Sequence, residues 1–316
     1  MSIVFFGTPT FAVPSLRALH GAGEEISAVV TRRDATAGRG KEKKKMKAPP
    51  VKQVALEYGL RVLQPVSLKD RQFVEELKSH SPEFLVVAAY GKILTEEILS
   101  IPRIAPVNVH ASLLPQLRGA SPIARAIING LKETGVTTML MEKGLDTGDI
   151  LLMEKTAISR EDDAGSLSGR LAEIGAGLLL KTLKGMREGT IKPHPQEGLA
   201  SYAQPLRKEE GLINWELTAE ELFNFVRGMN PWPGAYFFLD GERIKVLKAE
   251  ATHGSGSPGE VVKARGELLV GTGEGLLSLV AVQPEGKRPM SAQAFLHGRK
   301  INEKDVLNGA SHDIKK

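Results

Sequence analysis

The stretch Val107–Pro122, VNVHASLLPQLRGASP, opens like a buried β-strand and ends in polar chemistry. Val107 and Val109 alternate with Asn108 and His110, so a strand here turns two valines to one face and an amide and an imidazole to the other. A purely structural strand in an apolar core offers no partner to either polar group. The conflict disappears if both lie at the carboxyl end of a strand in a largely parallel α/β sheet, where ligands of such sheets sit.

The surrounding pattern supports that reading. Strands are predicted at Ser2–Phe6, Ile26–Thr31, Arg61–Leu63 and Phe84–Ala89, and helices at Thr10–Leu19, Pro50–Tyr58, Lys69–Ser79 and Thr95–Leu99. Such alternation predicts βαβ units and a parallel sheet covered on both faces. A helix over Ser121–Ile128, strands over Val136–Met141 and Asp149–Ile158, and a helix over Ala164–Arg187 continue it. The turn after the first strand reads GTP and lacks the GxGxxG fingerprint, so no nicotinamide site is expected.

Composition changes near Gly189. GTIKPHPQEGLASYAQPL carries three prolines and little periodicity and reads as a linker over residues 189–205. Beyond it, a helix near Ala219–Gly228 precedes five short strand candidates between Ala235 and Val282, the pattern of a small β-barrel or sandwich. The expected organisation is a catalytic domain over 1–188, the linker, and a C-terminal β domain over 206–316.

Charge is unevenly placed. From Arg32 to Lys52 there are nine cations and two anions, a surplus of seven that exceeds the +5 of the whole chain. This describes a basic loop, not a generally basic surface. From Gln204 onward, fifteen cations balance fifteen anions, although Arg243 and Lys245 alternate onto one side of a predicted strand. Cysteine is absent, which excludes disulfides and thiolate metal sites, and no HExxH spacing marks a metal centre. No secretory leader or membrane span is expected, which makes the cytoplasm the default.

Asn108 and His110 together suit attack on a carbonyl carbon. The amide NH2 donates to an oxygen that gains charge, and the imidazole accepts or returns a proton near neutral pH. A carboxylate would complete the set, and Asp146 in GLDTGD is the candidate. Bland readings stand beside these: a hydrogen-bonded strand-end histidine, an asparagine that caps a strand, an aspartate that satisfies its own turn, a solvated basic loop. Ser112 lacks a GxSxG context, so a serine hydrolase is weakly supported.

NVHASLLPQLRGASPI and GVTTMLMEKGLDTGDIL closely resemble the folate-dependent formyltransferases, and the resemblance spans the chain through FFGTPTFAVPSL, VVAAYGKIL, NPWPGAY and QPEGKRPMSAQAF. It implies a Rossmann-like, mostly parallel catalytic domain and a C-terminal barrel of OB-like topology that binds tRNA. It implies transfer of the formyl group of 10-formyltetrahydrofolate to the amino group of methionyl initiator tRNA, with no metal and no nicotinamide, by a cytoplasmic monomer. The family trio maps onto Asn108, His110 and Asp146. Ser112, Leu113, Leu114 and Pro115 match the folate-lining segment, and Tyr90 and Gly91 are further folate candidates. The basic loop, residues 34–49, is expected to meet the acceptor arm of tRNA through Arg39, Lys41, Lys43, Lys44 and Lys45. Formylation of a sugar-nucleotide amine and a noncatalytic RNA-binding role are the alternatives; the basic loop argues against the first and the intact trio against the second.

Overall fold

The computed structural model describes residues 2–37 and 45–308, which form two compact units. The first holds residues up to Pro122, Glu133–Ala157 and Ser168–Ala203; the second holds Ile123–Lys132, Ile158–Leu167 and the chain from Gln204.

In chain order the first unit carries β1 (Ser2–Gly7), α1 (Val13–Gly21), β2 (Glu25–Val30), β3 (Ala35–Ala37), β4 (Lys45–Lys47), α2 (Pro50–Glu57), β5 (Val62–Leu63), α3 (Arg71–Ser79) and β6 (Phe84–Ala88). There follow α4 (Glu96–Leu99), β7 (Ala105–His110), β8 (Arg118–Gly119), α5 (Pro122–Ile128), β9 (Glu133–Leu140), β10 (Ile150–Ala157), α6 (Ala164–Arg187) and β11 (Tyr202–Ala203); of these, α5 beyond Pro122 and the first four residues of α6 belong to the second unit. Seven strands make one sheet in the order β10-β9-β7-β6-β1-β2-β5. The five from β7 to β5 run parallel, and the apolar runs of β1 and β6 at their centre are buried on both faces, as a sheet covered by helices requires.

The last two strands depart from the simplest βαβ expectation: β9 pairs antiparallel with β7, and β10 antiparallel with β9. An apolar run buried on both faces reads the same in either direction, so the pattern of β9 fixed its burial and not its sense. β10 alternates half-buried and exposed residues beyond its first two, as an edge strand does.

Helix α6 explains the valine face of β7. A Cβ added to Gly175 would lie 2.8 Å from Val109 Cγ1, so the missing side chain lets the helix approach the sheet beneath the strand that bears His110. At the other end of α6, Arg187 donates to both Glu24 oxygens at 2.6 and 2.7 Å and to Glu83 at 3.1 Å. The paired Glu24 carboxylate, and then Glu83, raise the Arg187 pKa.

The segment expected to be a linker is not free of the first unit. Through Ala203 it belongs to that unit: His194 bridges Ile150, and β11 pairs in parallel with β8. Its prolines hide pairings made two residues at a time, too short for any periodic signal.

The second unit carries α7 (Ala219–Met229), β12 (Ala235–Leu239), β13 (Glu242–Thr252), β14 (Val261–Lys263), β15 (Leu268–Gly271), β16 (Leu276–Pro284), β17 (Met290–Ser291) and α8 (Ala292–His297). The antiparallel sheet runs β12-β13-β16-β15-β14, with β17 on β16. Asp240 and Gly241, both at positive φ, turn β12 into β13, the hairpin geometry that Asp-Gly favours. The chain then bridges both edges: Asn308 pairs with Phe238 of β12, and Val306 with Glu260 beside β14. That closure covers the edges an open sheet would leave unpaired. Ile213, Trp215, Leu222, Phe237, Ile244 and Leu277 are among the residues of its core.

Helix α7 begins in a capping box: Glu221 N donates to Thr218 Oγ1 at 3.2 Å, and Thr218 N donates to Glu221 Oε2 at 2.8 Å. Thr218→Ala should therefore cost about 1 kcal/mol of stability, read as a lower urea midpoint with an unchanged slope. An unchanged midpoint would show that water replaces the cap without loss.

Candidate active site

The register of the sheet places the polar residues of β7 at its carboxyl end. Asn108 lies opposite Val87 of β6 and Met139 of β9, and His110 lies opposite Thr137. Both side chains are almost buried, Asn108 at 9% and His110 at 6% exposure.

The His110 ring is held from two sides. Its Nε2 lies 3.0 Å from the carbonyl oxygen of Leu117, and its Nδ1 lies 3.7 Å from Asp146 Oδ2. A carbonyl oxygen only accepts, so Nε2 carries the hydrogen of the neutral ring and Nδ1 keeps its lone pair. The ring is thus oriented by a main-chain carbonyl, while the carboxylate faces the basic nitrogen at a distance that suits charge stabilisation more than a direct hydrogen bond. Asp146 itself sits at φ 55°, a left-handed conformation uncommon outside glycine, and its Oδ2 accepts from the Gly119 amide at 2.8 Å. The sequence placed Asp146 in this group; the Leu117 carbonyl and Gly119 amide are backbone atoms with no residue-type signature.

The loop that carries Asp146 tolerates little change. A Cβ on Gly148 would lie 2.0 Å from the carbonyl oxygen of Leu140, so the two backbones touch only because the side chain is missing. Gly148→Ala must displace the loop, and a shift near 1 Å at reacting groups costs about 10²-fold in rate. Steady-state turnover measures this; a near-normal rate would show that the loop moves without consequence.

After β7 the chain turns through Ser112–Pro115. Thr137, fully buried on β9, clamps that turn: its hydroxyl donates to the Ser112 carbonyl at 2.7 Å and accepts from the Leu114 amide at 3.2 Å. The Ser112 hydroxyl donates to the Gln116 carbonyl at 2.6 Å, and Leu114 packs with Met139 and Ile150. Ser112 and Leu114 therefore build the loop, and Leu113 and Pro115 keep partly exposed surface. Thr137 was missed in the sequence although its signal matches that of Asn108: a polar residue inside an apolar strand.

Tyr90 lies under the same sheet end. Its ring is 2% exposed, meets Phe6 edge-on at 5.3 Å between centroids, and belongs to the core with Phe73, Leu77 and Leu94. Burial pushes its hydroxyl pKa up to about 12. The residue meets its surroundings above the sheet through its carbonyl, which accepts from Thr8 Oγ1 at 3.0 Å, and through the exposed Gly91, whose φ is 81°.

The basic segment has more structure at its base than the loop expected there. β3 and β4 pair antiparallel as a short ribbon, with Ala37 opposite Lys45. Lys52 donates to both Asp34 oxygens at 2.8 Å and to Gln64 at 2.9 Å, so it ties the ribbon to the sheet. The Lys52 hydrogen bonds, then Gln64, lower the Asp34 pKa. Arg39, Lys41, Lys43 and Lys44 lie outside the described residues, and Lys45 is a residue of β4. In the second unit Arg243 and Lys245 do sit two apart on β13, but Arg243 stacks on Tyr236 at 5.3 Å and Lys245 donates to the Pro233 carbonyl at 3.3 Å.

Among the described residues, no group of three or more His, Asp and Glu side chains converges as a metal site would require, and no helix is long and apolar enough to cross a membrane.

A strand-end amide beside an imidazole that faces a loop carboxylate is an arrangement suited to acyl-type transfer to a nucleophile. Residues 1–183 match the formyl transferase family and residues 205–300 match the formyl transferase C-terminal domain. The chain belongs to the formyl transferase family. A methionyl-tRNA formyltransferase of Thermodesulfovibrio yellowstonii is 53% identical over 95% of this chain and 97% of its own length, and that of Moorella thermoacetica is 50% identical over 97% and 99%. Solved structures share the fold at low identity. HypX from Aquifex aeolicus in complex with tetrahydrofolic acid superposes with a TM-score of 0.65 at 16% identity, over 96% of this chain and 50% of that one. The methionyl-tRNA formyltransferase from Clostridium thermocellum does so with a TM-score of 0.55 at 17% identity, over 79% and 93%.

Proposed function

We propose that this chain transfers the formyl group of 10-formyltetrahydrofolate to the α-amino group of methionine on initiator tRNA, for the start of translation. Relatives about half identical over nearly the full chain support the acceptor. The observation that carries the chemistry is the His110 ring, with Nε2 facing a carbonyl and Nδ1 turned to Asp146.

The neutral methionyl amine attacks the formyl carbon, and the carbonyl π electrons move onto oxygen. Asn108 donates an amide hydrogen to that oxyanion. His110 takes the proton of the newly quaternary nitrogen at Nδ1, and Asp146 stabilises the imidazolium that results. Collapse of the tetrahedral intermediate restores the carbonyl and expels N10 of the folate, which takes the proton back from the His110 imidazolium and leaves as tetrahydrofolate, with the neutral ring restored. Leu113, Pro115 and the Tyr90-Gly91 main chain, on the scaffold of Ser112 and Leu114, line the folate side. Arg39, Lys41, Lys43, Lys44 and Lys45 meet the tRNA, with the second unit as a further tRNA surface. The enzyme works as a monomer in the cytoplasm, where its charged tRNA is made.

The test is formyl transfer from 10-formyltetrahydrofolate to purified methionyl initiator tRNA, with a nucleotide-linked amino sugar as the competing acceptor. Rapid formylation of the tRNA alone is expected. Transfer only to the sugar would keep the chemistry and overturn the acceptor.

A further inference from the structure

One polar cluster beside the site has no part in the steps above. Gln196 comes from the proline-rich segment that ends the first unit. Its Oε1 accepts from Arg118 Nε at 3.0 Å and from Arg118 Nη2 at 2.7 Å. Its Nε2 donates to the carbonyl of Asp146 at 2.8 Å and to the carbonyl of Gly148 at 2.8 Å. A primary amide has two hydrogens to give and two lone pairs on its oxygen, and all four are used here.

Such saturation is specific to this residue type. A glutamate would keep the guanidinium but set a carboxylate against two carbonyl oxygens. A methionine of similar length would satisfy neither side.

The place that Gln196 grips is the one that most needs holding. Asp146 lies in left-handed backbone, which is strained for a residue with a Cβ and persists only where the surroundings over-determine it. The two carbonyls bound by Gln196 bracket Thr147, so the amide spans the turn that aims the Asp146 carboxylate. The carboxylate in turn accepts from Gly119, the neighbour of Arg118. Arg118 and Gly119 thus hold Asp146 twice: directly at its side chain, and through Gln196 at its main chain.

We infer that Gln196 is a positioning residue of the reaction, fixing residues 146–148 through its bridge from Arg118 so that Asp146 faces His110. The inference rests on the role assigned to Asp146 under the proposed function.

Its consequence is a turnover defect without a binding defect. Gln196→Glu and Gln196→Met should each lower kcat for methionyl-tRNA at least tenfold, with KM for both substrates within twofold and the melting temperature of Gln196→Glu close to that of the parent. In an Asp146→Ala background, single-turnover rates with enzyme in excess should change less than twofold on adding Gln196→Met, because the carboxylate it positions is gone. A full tenfold loss in that background would mean that Gln196 acts elsewhere and would overturn the inference.

A second readout needs no activity. The Gly119 amide donates to Asp146, whereas the adjacent Ala120 amide donates to the Ala203 carbonyl at 3.0 Å. In Gln196→Met, hydrogen exchange of Gly119 should quicken at least tenfold while that of Ala120 is unchanged. Joint acceleration would reduce Gln196 to a staple of the β8–β11 pairing, and no change at either amide would leave Asp146 independent of it; both results overturn the inference. If the parent enzyme formylates no methionyl-tRNA, the acceptor assignment fails while the exchange result still decides whether Gln196 holds Asp146.

Discussion

His110→Ala is expected to lower turnover by about 10²–10⁴-fold, the usual contribution of a positioned general base. The argument starts from the ring geometry. Nε2 is committed to the Leu117 carbonyl, which leaves Nδ1 as the nitrogen able to take a proton, and among the described residues the acid placed to stabilise that proton is Asp146 at 3.7 Å. Removing the ring also strips the Leu117 carbonyl of its donor in a buried place, a cost of about 1–3 kcal/mol that loosens the loop. A drop in rate from His110→Ala alone would mix both effects. His110→Gln separates them: its amide still reaches a carbonyl, yet it takes no proton near neutral pH. Both variants should lose turnover, and the glutamine variant should keep the melting temperature of the parent. Near-normal turnover in the glutamine variant would remove the base role and leave His110 a structural residue.

Asp146→Ala follows the same logic with a smaller effect, because a base without its carboxylate still accepts protons. The ratio of the two losses measures how much of the imidazolium is stabilised by Asp146 and how much by the Leu117 dipole. That ratio was invisible in the sequence for a physical reason. Residue types betray side chains out of place, as Asn108 and His110 are in an apolar strand, whereas the Leu117 carbonyl and the Gly119 amide are groups every residue has.

The same distinction runs through the fold. The parallel strands were legible because burial on both faces demands apolar runs rich in β-branched residues, as in Phe84–Ala88, and in Ala105–His110 the two polar interruptions, Asn108 and His110, stand out against that background. The sense of β9 and β10 was not, since direction leaves no trace in hydrophobicity. Helix α8 escaped notice although Ser291 caps it by accepting from the Ala294 amide at 3.1 Å; six residues are too few to show a helical period. The grouping of 123–132 and 158–167 with the second unit depends on contacts far apart in sequence, such as those of Ala124 and Ile128 in its core. Gln196 combines both obstacles: its partners lie 78, 50 and 48 residues away, and two of them are carbonyls.

The salt dependence of tRNA use should be the other large effect. If Arg39, Lys41, Lys43, Lys44 and Lys45 each neutralise one phosphate, they contribute a slope of about 4–5 in the logarithm of affinity against the logarithm of salt, so raising salt from about 50 to 200 mM weakens their share about 500-fold. Replacing all five by alanine should flatten the slope of kcat/KM for methionyl-tRNA by that amount and leave the KM for folate unchanged. The ribbon of β3 and β4 is anchored where Lys52 meets Asp34 and Gln64, and those bonds take Lys52 itself out of the count of phosphate contacts. Arg39 is expected to stand apart from the lysines. A guanidinium forks onto a phosphate or a base edge, which an ammonium does not copy, so Arg39→Lys should keep the slope and still lose rate. A slope unchanged in the five-residue variant would separate the segment from the tRNA backbone and shift the contact to the second unit. There Arg243 and Lys245 already hold internal partners, so recognition would have to recruit cations other than that pair.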